Sequence, residues 1–150
     1  MKYQKIPNAF QGLGMAAPTI THQRIVAKIH KNYLRKFADD YCLFGVAVIE
    51  DPERIPDISI WENVYEIGGE TFAESPLLTI EITHTPGNDD YSSDSIYEQF
   101  AYLPTLCESF MYNYETDVWT RFRRTEKGIE KEIDKDYSSV LRCYLHTLLY

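Results

Sequence analysis

PLLTIEITHTPGNDD, residues Pro76–Asp90, sets one carboxylate, Glu81, in the middle of an apolar and β-branched run. The core of this stretch, LLTIEITH, reads as a strand. An ionised carboxylate facing a core costs several kcal/mol unless something pairs with it, so such a group is exposed, satisfied by a partner, or bound to a metal. Two further strand-like segments lie upstream, YCLFGVAVIE and, after the breaker DPERIP, IPDISIWENV; the glycine pair Gly68 and Gly69 separates the latter from the Glu81 strand. Downstream, SSDSIYEQFAYL has a capping-type Ser or Asp start and Ile96, Phe100 and Leu103 at helical spacing, with Pro104 to end it.

The pattern extends in both directions. Thr19 to Asp39 is predicted to be an amphipathic helix, because Val26, Ile29, Tyr33 and Phe37 recur on one face. Arg24, Lys28, Lys31 and Arg35 gather on the opposite face, as a solvated surface or as a face that meets phosphates. After the second helix come ESFMYNYET, DVWTRFRRT and GIEKEID, the last two joined by a turn at Lys127 and Gly128. The final segment, SSVLRCYLHTLLY, is predicted to be a helix with Val140, Leu141, Tyr144, Leu145 and Leu148 facing the core. Helix, three strands, helix, three strands, helix is the order of an α+β (α/β-like) fold, a central mixed sheet flanked by helices. A length of 150 residues suits one domain, residues 1–150.

No apolar run approaches the roughly 18 residues of a membrane span, and the first residues lack the continuous apolar region of a secretory signal, so a cytoplasmic location is expected. Cys42, Cys107 and Cys143 are widely spaced and form no CxxC pair, which suits reduced thiols. The net charge of −8 is unevenly distributed: Ile55 to Trp119 holds 13 acidic residues and no Lys or Arg. An acidic middle suits divalent cations better than phosphates, and the basic flanks suit a polyanion.

Within that acidic middle, Asp57 in PDI and Glu81 in IEI stand on consecutive predicted strands. If the strands pair, both carboxylates can converge on one hard cation of the kind Mg²⁺ represents, which could activate water and stabilise charge on a phosphodiester. As pattern alone, surface acids are the commoner reading. His22 could serve the site or simply start its helix, and His84, three residues after Glu81, could reach the same site or stand in solvent. Trp61 and Trp119 suit packing in the sheet better than stacking on bases. Arg121, Arg123 and Arg124 could grip phosphate, although alternation makes Arg121 and Arg123 one solvated face balanced by Glu126, Glu130 and Glu132.

PDI, LLTIEIT, a helix and then LPTLCESFMYNYE together resemble the Uma-type restriction-endonuclease family of the PD-(D/E)XK nuclease superfamily, abundant in cyanobacteria and found in other bacteria. APTITHQRIVAKI is similar to the segment that opens the family's first helix, with His22 at its histidine position, so the resemblance covers roughly Ala17 to Tyr114. It implies a restriction-endonuclease-like core, Asp57 and Glu81 as catalytic metal ligands for Mg²⁺ (or Mn²⁺), DNA as substrate, and a homodimer. The family's lysine belongs four residues before Phe100, where this chain has Ile96, and the wider superfamily's lysine position holds Thr83. A basic group would have to come from elsewhere, such as Lys28 or Lys31 of the first helix or Arg121 or Arg123. The expectation is therefore a metal-dependent DNA endonuclease-like protein, with a catalytically inactive nuclease-fold binding or scaffold protein as the alternative.

Overall fold

Thr19 starts the first helix, α1 (Ile20–Phe37), by accepting the His22 main-chain N–H on its hydroxyl at 3.0 Å, and Ala38 ends it in the left-handed conformation at φ 53°. The structure, a computed structural model, describes residues 19–38, 42–44, 48–50, 53–62, 64–67, 70–73, 76–84 and 86–150. The N-terminal residues 1–18 and the glycine pair Gly68 and Gly69, both used above, lie outside the described residues. None of the described helices is long and apolar enough to cross a membrane.

The strands are β1 (Cys42–Phe44), β2 (Ile49–Glu50), β3 (Glu53–Arg54), β4 (Ile58–Trp61), β5 (Val64–Ile67), β6 (Glu70–Ala73) and β7 (Pro76–Thr83), followed by α2 (Pro86–Tyr102) and then β8 (Glu108–Asn113), β9 (Val118–Thr125) and β10 (Gly128–Ile133). Six of them form one mixed sheet in the order β1-β4-β7-β8-β9-β10. Only β7 and β8 run parallel, joined across α2, and the other neighbours are antiparallel. The chain is thus α+β with a central mixed sheet between helices, as expected. The expected strand over Tyr41–Glu50 divides into β1 and β2, while β5 and β6 add a hairpin of their own.

Side-chain alternation gives the two faces of the sheet different partners. Ile58, Ile60, Leu78, Ile80, Ile82, Phe110 and Tyr112 pack with Val26, Ile29 and Tyr33 of α1. Met111 and Phe122, on the other face, pack with Ile96 and Phe100 of α2 and with Leu103 just beyond it. Because β7 is covered on both faces it is buried nearly throughout, and Glu81 faces inward on the α2 side. Trp61 and Trp119 are buried, and so are packing residues.

Two helix expectations need correction. α2 begins at Pro86, six residues before the Ser92 start read from the sequence; proline opens a helix at no cost because the first N–H has no helical partner anyway. The C-terminal segment from Ser138 is not an α-helix. Its first half forms a small hairpin, β11 (Tyr137–Ser138) with β12 (Cys143–Tyr144), and Leu145–Leu149 forms a 3₁₀ turn. Glu108 explains this: one carboxylate oxygen accepts the Ser138 hydroxyl and the other the Ser139 N–H, each at 2.7 Å. The Ser138 hydroxyl accepts the Leu141 N–H at 3.0 Å, and Arg142 sits at φ 56°, outside the helical region. Leu145 and Leu148 still reach the α1 core, whereas Tyr144 is exposed.

Candidate functional site

The β4–β7 register pairs Ile58 with Ile80, so Asp57, one residue before β4, stands at the next rung, beside Glu81. Asp57 closes that rung with its side chain: Oδ2 accepts the Ile82 N–H at 2.7 Å. Its other oxygen, Oδ1, lies 3.1 Å from Nε2 of His22 in the first turn of α1. Nδ1 of His22 is buried and has no hydrogen-bond partner among the described residues. Asp57 is 9% exposed and Glu81 7%.

Glu81 has a partner that its strand pattern does not reveal. Nε2 of Gln99, on α2, donates to Glu81 Oε1 at 3.2 Å, and the Thr79 hydroxyl donates to Gln99 Oε1 at 2.8 Å. Ser109 on β8 extends this chain, its hydroxyl 2.7 Å from that of Thr79. Gln99 is completely buried. Its signal in the sequence is a polar residue on the inner face of α2, within the helical spacing of Ile96, Phe100 and Leu103.

Burial raises the Glu81 carboxyl well above its ordinary range, and the neighbouring charge of Asp57 raises it further. The hydrogen bonds from Gln99 and from the Asp57 main chain oppose the rise without cancelling it. Two buried carboxylates therefore share a site in which Gln99 offers a dipole and no charge. That is the electrostatic condition under which a proton or a cation is taken up. Among the described residues no group of three or more His, Cys, Asp and Glu side chains is arranged to hold a metal ion. Mg²⁺ commonly takes only one or two protein carboxylates and keeps several waters, so the oxygen donors of Asp57 and Glu81 suit it.

Among the described residues, no hydrogen bond or ion pair joins the other candidates to this pair. His84 is half-buried, and its ring stacks on Tyr114 with centroids 5.4 Å apart. Tyr114 in turn bonds Thr19 through its hydroxyl at 2.8 Å. Lys28 and Lys31 are exposed on the side of α1 away from His22, and the structure does not bring them to the carboxylates. Ile96, at the position of the family's lysine, is fully buried among Phe100, Met111 and Phe122. Arg121 and Arg123 project from the sheet face opposite Glu81 and are bound to Glu132 and Glu130. Arg124 donates to the carbonyls of Phe100, Leu103 and Leu106, tying down the C-terminal end of α2.

No family model matches the chain, and no curated protein matches it by sequence. A solved structure does. A crystal structure described as "a putative nuclease belonging to DUF820 from Anabaena variabilis ATCC 29413" superposes with a TM-score of 0.62 at 17% identity, over 89% of this chain and 83% of that one. The fold is restriction-endonuclease-like. In this restriction-endonuclease-like frame, the β7-α2-β8 crossover supplies every side chain of the site except His22 and Asp57, which stands one residue before β4.

Replacing Gln99 is expected to expose the strain this arrangement contains. Gln99→Leu leaves the Thr79 hydroxyl and the Glu81 carboxylate short of a partner, a loss of about 1–3 kcal/mol. Differential scanning calorimetry should show Tm lowered by roughly 2–4 °C per kcal/mol. Gln99→Glu should be more damaging at pH 8 than at pH 5, since it sets a further carboxylate against Glu81.

Proposed function

We propose that this chain is a divalent-cation-dependent, nuclease-like protein acting on the phosphodiester bonds of DNA in the cytoplasm, with Asp57 and Glu81 holding Mg²⁺ or Mn²⁺. The observation that carries the reading is the strand register that sets these two buried carboxylates side by side, with no Lys or Arg ion-paired to either among the described residues. The ion, when bound, would activate water and stabilise the charge that develops on the phosphate. The chain's own residues have simpler tasks. Gln99 fixes one oxygen of Glu81, while the Ile82 N–H and His22 fix the two oxygens of Asp57. Fixing the carboxylates in advance spares their reordering when the cation arrives. The Uma-type resemblance supports the same reading, and with it a homodimer, for which sedimentation velocity is the test.

A second reading, a nuclease-fold protein that binds without cutting, is favoured by Ile96, which places a buried apolar side chain where the family carries its lysine. A supercoiled-plasmid nicking assay with Mg²⁺ or Mn²⁺ decides between them. Cleavage by the wild type that falls by about 10²-fold or more in both Asp57→Ala and Glu81→Ala is the outcome expected for the enzyme. Wild-type protein that binds the ion and leaves the plasmid intact would establish the second reading.

A further inference from the structure

We propose that the exposed face of α1 is a surface on which a nucleic-acid phosphate backbone docks; the proposal rests on the nuclease reading above and names its docking surface. In a chain of net charge −8, α1 contains Arg24, Lys28, Lys31, Arg35 and Lys36 and no acidic residue. Arg24, Lys28, Lys31 and Arg35 are all exposed, and their offsets of 4, 7 and 11 residues from the first keep them within an arc of about 60°. Like charges one turn apart destabilise a helix, and the usual relief is an interspersed Glu or Asp. Here there is none, and among the described residues none of the four forms an ion pair, whereas Arg54, Arg121 and Arg123 each lie on a glutamate.

The stripe lies on the side of α1 opposite His22 and the core-facing residues Val26, Ile29 and Tyr33, and it runs for about 16 Å of helix, at roughly 1.5 Å per residue. Phosphates on one strand of B-DNA advance about 3.4 Å each, so this length matches roughly five of them. An anionic membrane would need apolar side chains beside the cations. The apolar face of α1, Val26, Ile29 and Tyr33, is consumed by the core, and Ile20, 72% exposed, is the lone large exposed hydrophobic among its described residues. The chemistry is that of a soluble polyanion.

Fluorescence anisotropy with a labelled 20-base-pair duplex in EDTA, titrated at several NaCl concentrations, tests this on the full chain. The wild type is expected to show a slope of log K against log[salt] of about −3.6, four contacts at roughly 0.9 each. Each of Arg24→Gln, Lys28→Gln, Lys31→Gln and Arg35→Gln should reduce its magnitude by about 0.9, and the quadruple variant should bind at least about 10²-fold more weakly at 0.1 M salt. Glutamine keeps the helix propensity of the residues it replaces and relieves their mutual repulsion, so circular dichroism should be unchanged and Tm should not fall. A quadruple variant with the wild-type slope would overturn the surface, while metal-dependent nicking by the wild type would leave the nuclease reading standing. Binding that follows the four cations in a wild type without nicking activity would support the surface and remove the enzyme. Wild type that binds no duplex, or that binds phosphatidylserine vesicles instead, overturns the proposal.

Discussion

Glu81→Gln is expected to melt at a higher temperature than the wild type at pH 8 while losing metal-dependent cleavage by about 10²-fold or more. Both effects have one cause. Burial and the charge of Asp57 hold the Glu81 carboxyl well above its ordinary value of 4.5, so the folded chain keeps this proton where the unfolded chain gives it up. Below pH 4.5 both states are protonated and the residue makes no pH-dependent difference. As pH rises past 4.5 the unfolded state is favoured, and the penalty grows until the folded-state value is passed. Each tenfold change in proton affinity amounts to about 1.4 kcal/mol, or roughly 3–5 °C in Tm for a chain of this size. A neutral amide removes the penalty, so its advantage over the wild type should open between pH 4.5 and 8 in calorimetric scans without metal. A variant that melts below the wild type at pH 8 would show that the carboxylate is well compensated in the folded chain.

Glu108→Ala should produce the largest loss of stability, with no part in the chemistry. Glu108 is 3% exposed and supports the Ser138 hydroxyl and the Ser139 N–H with one oxygen each. Truncation leaves both donors without a partner, at a combined cost of about 3–5 kcal/mol. Tm should fall by roughly 6–20 °C. Hydrogen exchange at the Ser139 amide should accelerate more than at β7, because the C-terminal hairpin loosens before the sheet. Glu108→Gln keeps one acceptor and should lose about half as much. A Glu108→Ala protein that melts within 2 °C of wild type would contradict the assignment of this carboxylate as the anchor of the C-terminus.

The two results also mark what the sequence makes legible. Glu81 interrupts a strand, and pattern alone flags it as an anomaly, whereas Glu108 opens a strand and carries no such flag. The strands around Glu81 are readable because β4 and β7 are short runs bounded by Pro and Gly, and because the PDI and IEI segments resemble a known family; that the two strands pair comes from the structure. The partner of each acid is not readable. Gln99 lies 18 residues from Glu81 and Ser138 30 residues from Glu108, and neither pairing obeys any periodicity. The C-terminal segment shows the same limit. Its Leu and Val spacing suits a helix, yet two hydrogen bonds to a distant carboxylate outweigh that weak local preference. Lys28 and Lys31 illustrate the reverse case, since helical spacing correctly puts them opposite Val26 and Ile29 and thereby away from the pocket.

Isothermal titration calorimetry of Mn²⁺ into the wild type, Asp57→Asn and Glu81→Gln addresses the central claim, that these two carboxylates form a cation site. One ion per chain in the wild type, with the heat abolished in both variants, is the predicted result. Absence of binding by the wild type, or the same stoichiometry and affinity in all three proteins, would contradict it.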